Sequence, residues 1–180
     1  MAVYKLFPSK DASIYSFYPV MNTGIDSIIE IGNLNVNYDP VPQVFRFLVQ
    51  FDQSEIEDVI DNKVGGTNFS SSLKCYIATA QGVVAQTELE VYPVSVPWNN
   101  GSGTYLDSPY TTNGVSWRYR TFENGALWDT GTYPSYVTGS YSGSLLGGGT
   151  WYTGSNDPNN TKLTPTQSFD YRTAKDLNVD

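Results

Sequence analysis

The feature that most constrains the fold is a turn-rich, aromatic stretch that runs from Val96 to Ser135. It holds three of the four tryptophans, Trp98, Trp117 and Trp128, and glycine, asparagine and proline residues separate them. Because large apolar rings favour burial while these separating residues favour turns, irregular backbone has to hold the rings in place. The stretch contains no group suited to drive a reaction. It therefore favours a binding or structural β module.

The composition favours a single all-β domain over residues 1–180. The chain has 14 tyrosines, 16 glycines and 10 prolines, a mixture that suits half-buried strands and turns rather than helices. Its 180 residues are enough for one core without disulfides or metal. The single cysteine, Cys75, alternates with Leu73 and Ile77 on one face of a strand-like run, which predicts an inert core thiol.

The charged residues exclude several classes of function. The chain has no histidine, the commonest general base and zinc ligand, and its net charge of −8 argues against nucleic acid as a partner. Glu88 and Glu90 lie two apart on one strand face, as is ordinary for an exposed edge. No apolar run approaches the ~18 residues that span a bilayer, and no leader precedes the first strand. We expect a protein made in a cytosol that is not an enzyme, needs no cofactor and has no membrane span.

Alternating residues predict the strands. The clearest run covers residues 43–51, and we predict that its more apolar face packs on the core. That face consists of Phe45, Phe47, Val49 and Phe51. Two further runs, 71–80 and 87–94, are separated by a short polar break and predict an antiparallel hairpin.

One helical signal follows the clearest strand. Ser54 and Glu57 have the spacing of a capping box, and Ile56, Val59 and Ile60 form an apolar stripe. The pattern predicts about two turns of helix near residues 54–61 that plug one end of a β-sandwich.

Several short motifs then occur in the order of a known domain. They are Asp11 with Ile14, Ile31-Gly32, Phe47 to Ser54, Leu73 to Tyr76, Val91 to Val94, Trp98 to Gly101, Val115 to Trp117, and Trp128 to Pro134. In this order the sequence resembles the DNRLRE-type domain, also described as a family 96 carbohydrate-binding module. The resemblance implies an antiparallel two-sheet, jelly-roll-like β-sandwich.

Members of that family are appendages of secreted polysaccharide-degrading enzymes, parts of cell-surface proteins and, in versions with the Val-Ser-Trp-Arg-Tyr character seen here, structural proteins of tailed bacteriophages. This sequence departs from the family by having no signal peptide. It also ends at Lys175 to Asp180, where the family continues through a closing strand pair. Two alternatives follow: the chain is a fragment of a longer protein, so that this domain lacks its closing C-terminal strands, or a neighbouring chain supplies a strand to the open edge.

Exposed aromatic residues are the candidate glycan site, because tyrosine and tryptophan rings stack on pyranose faces. The candidates are Trp128, Trp151, Tyr105 and Tyr133, with Tyr110 and Tyr136 as further members. The alternative is that Trp117 and Trp98 are core anchors and the tyrosines are half-buried rims. Calcium is a second open possibility, at Asp11, Glu30, Asp129 and Asp157, but no Asp-x-Asp-x-Asp loop exists and solvated surface acids are the preferred interpretation.

The resemblance and the acidic, Gly/Asn/Ser/Thr/Tyr-rich composition together predict a structural protein of a tailed-phage virion. It would be a capsid decoration, head-fibre or tail-associated subunit, made in the host cytoplasm and located in the virion. Its expected partners are other virion proteins or further copies of itself, with host surface glycan as an additional ligand. The alternative is a carbohydrate-binding module of a larger polysaccharide-active or cell-surface protein.

Overall fold

The chain is an antiparallel β protein with one short helix, as the sequence predicts. A computed structural model describes residues 3–34, 43–65, 68–80, 87–91, 94–128, 147–149, 166–169 and 176–179. The strands within these ranges are β1 Pro8–Tyr15, β2 Gly32–Leu34, β3 Gln43–Phe51, β4 Leu73–Tyr76, β5 Thr87–Glu90, β6 Tyr119–Thr121, β7 Ala126–Leu127, β8 Thr166–Phe169 and β9 Asp176–Val179. Helix α1, Gln53–Asp58, continues as a π-helical segment, Val59–Val64. Every strand pair is antiparallel.

The chain divides into two compact units. The first combines Met1–Asp58 with Val94–Thr150, and the second combines Val59–Pro93 with Trp151–Asp180. The first unit contains a three-stranded sheet in the order β1-β3-β2 and the β6–β7 pair. The second contains the pairs β4–β9 and β5–β8.

The core of the first unit lies on one face of the β1-β3-β2 sheet. Ala12, Ile14 and Leu48 pack there against side chains from the turn-rich stretch, namely Trp98, Val115, Trp117 and Trp128. Three of the sequence's four tryptophans are thus buried in one cluster. The turn-rich stretch therefore supplies one side of the core and the first sheet supplies the other.

The prediction of which face of β3 meets the core is wrong. Leu48 is buried and Val44 packs against the core cluster, whereas the Phe45 face is only half-buried. Alternation shows that a strand has two faces, but it does not show which face meets the tryptophans. Arg46 lies on the same face of β3 as Leu48, and its charge is satisfied within the chain. Its guanidinium lies 5.0 Å from the centre of the Trp117 ring, and its Nη1 donates to Gly148 O at 2.7 Å.

A triple-glycine segment, Gly147 to Gly149, passes directly over Trp117. All three residues have positive φ, and Gly148 N donates to Trp117 O at 2.6 Å. A Cβ at Gly147 would stand 1.9 Å from that same oxygen. Glycine is therefore required at this crossing by both its backbone conformation and the space available.

In the second unit the predicted hairpin does not form. The strand β4 pairs with β9, with Cys75 opposite Leu177, and β5 pairs with β8, with Thr87 opposite Phe169. Alternation identifies a strand but not its partner, and both partners here lie far away in sequence. Cys75 is half-buried and unbridged, and burial raises the pKa of its thiol, which keeps it protonated at neutral pH.

Helix α1 begins two residues earlier than the capping box predicts. The Asp52 carboxylate accepts hydrogen bonds from Ser54 N at 2.8 Å and from Glu55 N at 3.2 Å, so Asp52 is the N-cap. Neither α1 nor the π-helical segment contains a buried residue, so the prediction of a helical plug is wrong. None of the helices in the described part of the chain has the length and apolar character that crossing a membrane demands.

Candidate interaction face

One buried side chain, Asn22, joins the segments that build the candidate site. Its Nδ2 donates to Asn100 O and to Val115 O, both at 2.7 Å, and its Oδ1 accepts from Gly24 N at 3.2 Å and from Gly103 N at 2.7 Å. An asparagine amide offers two donors and two acceptor positions, and all four are used here. The Asn22 side chain therefore holds the backbone at Gly24 to the backbone of residues 100–103 and of Val115.

Glycines let these loops approach so closely. Gly101 and Gly114 both have positive φ, +82° and +71°. A Cβ at Gly114 would stand 2.4 Å from the Cα of Gly101, and a Cβ at Gly101 would stand 2.4 Å from Oδ1 of Asn22. The contact is therefore backbone against backbone, with the Asn22 amide filling the space that side chains would need.

The free edge of β1 is closed at Ser13. The Thr23 hydroxyl accepts from Ser13 N at 3.0 Å and donates to Ser13 O at 2.6 Å. The Ser13 hydroxyl in turn accepts from Glu30 N at 2.8 Å. These bonds use the groups that another strand would need, so strand addition is blocked at this point, and they position Glu30 beside the sheet.

A second loop, residues 104–111, is held by Asp107. Its carboxylate accepts from Thr104 N at 3.0 Å, from the Thr104 hydroxyl at 2.8 Å and from the Thr111 hydroxyl. The hydrogen bond from Thr111 is the main cause that lowers the pKa of Asp107, followed by those from Thr104. Tyr105 and Tyr110 therefore stand on a loop whose backbone is tied at both ends.

Six aromatic rings meet beside this loop, and we call them the tyrosine cluster. Its members are Tyr15, Phe17, Tyr18, Phe45, Tyr105 and Tyr110, and the ring centres in contact are 4.7 to 6.4 Å apart. Tyr15 is buried and supports the outer rings. Tyr105 and Tyr110 are 41% and 44% exposed, so their rings are accessible to a partner.

Two carboxylates border the tyrosine cluster. Glu30 accepts a hydrogen bond from the Tyr15 hydroxyl at 2.5 Å, and Asp26 accepts from Tyr105 N at 3.1 Å. Burial, reinforced by the negative charge of Glu30, raises the pKa of Tyr15, of Tyr105 and of Asp26. Glu30 and Asp26 thus place two acidic groups at the border of the tyrosine cluster.

Exposed aliphatic side chains adjoin these groups. Ile25 N donates to Gly103 O at 3.1 Å, and Tyr105 N donates to Asp26, which places the start of segment 25–34 beside the 104–111 loop. The exposed large aliphatic residues of the two segments are Ile25, Ile28, Ile31, Leu34 and Leu106, and Leu106 is 88% exposed. We call the tyrosine cluster, the two carboxylates and these aliphatic residues together the interaction face.

The structure brings together only part of the aromatic set predicted from sequence. Tyr105 and Tyr110 are both on the interaction face. Trp128 is not available to a glycan, which corrects its assignment: it is 2% exposed, and its Nε1 donates to Ser116 O at 2.9 Å inside the core. Trp151, Tyr133 and Tyr136 lie outside the described residues. Tyr15, Tyr18 and Asp26 were not predicted from the sequence, although the Tyr-Ser-Phe-Tyr run that begins at the last residue of β1 was a usable signal.

The calcium candidates are likewise divided. Asp11 belongs to β1 and Glu30 to the interaction face, while Asp129 and Asp157 lie outside the described residues. Within the part of the chain that is described, no three or more cysteine, aspartate or glutamate side chains form a group able to hold a metal ion.

The interaction face can recognise a ligand by three means. The exposed rings offer flat surfaces for stacking, the phenol hydroxyls and carboxylates offer hydrogen bonds, and the aliphatic residues offer area for apolar burial. The sequence matches no protein-family model and no curated protein, and the structure matches no solved structure.

Proposed function

We propose that this chain is a non-enzymatic structural protein of a tailed-phage virion. It attaches to another virion protein through the interaction face, as a capsid decoration, head-fibre or tail-associated subunit. The observation that carries the proposal is the grouping of exposed apolar side chains around Ile25, Tyr105 and Leu106. Scattered single apolar residues are normal on a surface, but a group of them beside aromatic rings is typical of a protein contact site.

The rigidity of the face supports the same proposal. Asp107 holds the backbone of the 104–111 loop, and the Ser13 hydroxyl holds the other segment by accepting from Glu30 N, so hydrogen bonds within the chain keep the face in place. A preformed surface loses less conformational entropy on binding. The resemblance to phage structural proteins supplies the biological setting.

The protein composition of purified particles tests whether the chain is a component of a virion. Particles released from cells that express the gene are purified on a density gradient, and their proteins are quantified by mass spectrometry. We expect the chain in a constant ratio to the major capsid protein across the particle peak. Its absence from the peak, or a ratio that varies between fractions, would contradict a structural role.

A carbohydrate-binding module is the second candidate, and the exposed rings of Tyr105 and Tyr110 favour it. Tyrosine rings stack on sugar rings, and Asp26 and Glu30 stand close enough to the cluster to bond hydroxyl groups. Affinity electrophoresis of the full chain against a panel of soluble polysaccharides tests this candidate. Retardation by one glycan class that disappears in Tyr105→Ala and persists in Leu127→Ala would support it over the virion proposal.

A further inference from the structure

We propose that the interaction face binds an arginine-bearing loop of a different protein, and not a second copy of this chain. The inference rests on the proposed function, because it specifies the chemistry of the partner at the same face. Three features carry it: the charge of the face, its rings, and the aliphatic residues beside them.

The two segments that carry the face are acidic and contain no basic residue. The sequence contains no lysine or arginine between Lys10 and Arg46, and none between Lys74 and Arg118. The two segments that build the face lie within these intervals, and they carry Asp26, Glu30 and Asp107. A basic group on the partner is therefore the complementary charge.

A second copy of the chain fits the face poorly. In a two-fold symmetric dimer through this face, each patch meets the same patch of its partner. Asp26 and Glu30 would then approach the same carboxylates of the other copy, and the chain as a whole already carries −8. Like charges brought together at an interface oppose association.

The rings select arginine among basic groups. A guanidinium can stack flat on an aromatic ring while its fork donates to a carboxylate, whereas an ammonium acts as a point charge. The chain itself places cations over rings: Arg46 lies over Trp117 and Arg118 lies 5.7 Å from the centre of the Tyr119 ring, while one lysine, Lys10, lies 5.7 Å from the centre of the Trp98 ring. At Trp117 the guanidinium meets both an aromatic ring and an acceptor oxygen, Gly148 O. The tyrosine cluster with the Glu30 carboxylate offers the same two kinds of group.

An NMR titration tests the inference. The ¹⁵N-labelled full chain is titrated with an acetylated, amidated five-residue peptide of alternating leucine and arginine. The matched control peptide carries citrulline, which keeps the shape of arginine without its charge. We expect saturable shifts at the amides of Asp26 and Tyr105, binding at least tenfold weaker with citrulline, and weaker arginine binding as salt increases.

Variants locate the contact. Glu30→Gln and Asp26→Asn are expected to weaken arginine-peptide binding at least threefold each. Glu55→Gln, an exposed acid on α1, is expected to leave it unchanged. Equal binding of the citrulline peptide, absence of saturable shifts, or insensitivity to both face variants would overturn the inference.

Two other occupants give distinct results. A polysaccharide that shifts the Tyr105 amide while the arginine peptide does not would assign the face to a glycan. A dimer in light scattering that Leu106→Asp abolishes would assign it to a second copy. Either result overturns the arginine inference. If the chain is present in particles but does not bind the arginine peptide, the arginine inference is wrong and the proposed virion function still holds. If the chain binds the peptide but is absent from particles, the proposed virion function is wrong.

Discussion

At the scale of single residues, the backbone of the first unit depends on a few positions where no other side chain fits. Asn22 satisfies all four hydrogen-bonding positions of its amide inside the protein. A buried polar group of this kind is costly when unpaired and specific when paired. The glycines around it have a comparable role, because they allow main chains to touch. These residues account for the rigidity of the interaction face.

Two glycines with similar φ angles distinguish the energetic cost of a strained backbone from the cost of a steric collision. Gly114 and Gly125 have φ of +71° and +67°, but a Cβ at Gly114 would stand 2.4 Å from Gly101 Cα whereas a Cβ at Gly125 meets nothing within 4 Å. Gly125→Ala should cost about 1 kcal/mol of unfolding free energy, from the left-handed conformation alone. Gly114→Ala should cost about 3 kcal/mol or more, because the collision adds to the strain. Urea denaturation of both variants measures the difference, and equal costs would contradict the close approach.

At the scale of elements, alternation gave the positions of strands but not their environment. Residues 43–51 form a strand with the bounds that the pattern predicts. The face that meets the core is the less apolar one, because Trp117 packs there beneath Arg46. The pattern did not predict the strand partners either: β4 and β5 pair with strands close to the end of the sequence. Side-chain period is a local property, while packing and pairing depend on distant residues.

Adjacent residues of β3 test the assignment of its faces. Leu48 is buried in the core cluster, and Val49 is half-buried on the opposite face. Leu48→Ala should lower the free energy of unfolding by about 2–4 kcal/mol, and Val49→Ala by about 1 kcal/mol or less. Chemical denaturation measures both. A larger loss for Val49→Ala would restore the core face that the sequence pattern predicts.

The start of helix α1 should depend on pH through Asp52. The Ser54 hydroxyl, followed by the amides of Glu55 and Ser54, lowers the pKa of this carboxylate from 3.8. A lowered pKa means that the ionised group stabilises the folded helix above pH 3.8, and that this contribution is lost as the pH falls through the folded-state pKa.

We expect Asp52→Ala to reduce hydrogen-exchange protection of the first turn at pH 7, and Asp52→Asn to retain most of it. The gap between wild type and Asp52→Ala should narrow as the pH falls below 3.8. Ser54→Ala should have the smaller effect at pH 7, because both amide bonds to Asp52 remain. A larger effect for Ser54→Ala would instead support Ser54 as the cap.

At the scale of the whole molecule, the sequence predicted the class of fold and part of the site. Antiparallel strands with one short helix, burial of Trp98 and Trp117, and exposure of Tyr105 all agree with the pattern. Trp128 shows the limit: whether a ring in a turn-rich stretch is covered depends on what folds over it, and here Ser116 and the core enclose it. The Tyr-Ser-Phe-Tyr run marked one part of the tyrosine cluster, but its assembly could not be predicted, because the cluster joins segments about 90 residues apart through ring contacts such as that of Tyr18 with Tyr110.

The measurement that tests the central claim most directly compares the incorporation of two leucine variants into particles. Leu106 belongs to the interaction face, and Leu127 is an exposed leucine on β7 of the same unit. Each is changed to aspartate and supplied in cells whose own copy of the gene is deleted, and the chain is quantified in purified particles. We predict that Leu127→Asp enters particles at the wild-type ratio, and that the amount of Leu106→Asp falls at least tenfold while the variant keeps its melting temperature. Incorporation of Leu106→Asp at the wild-type ratio would contradict the interaction face.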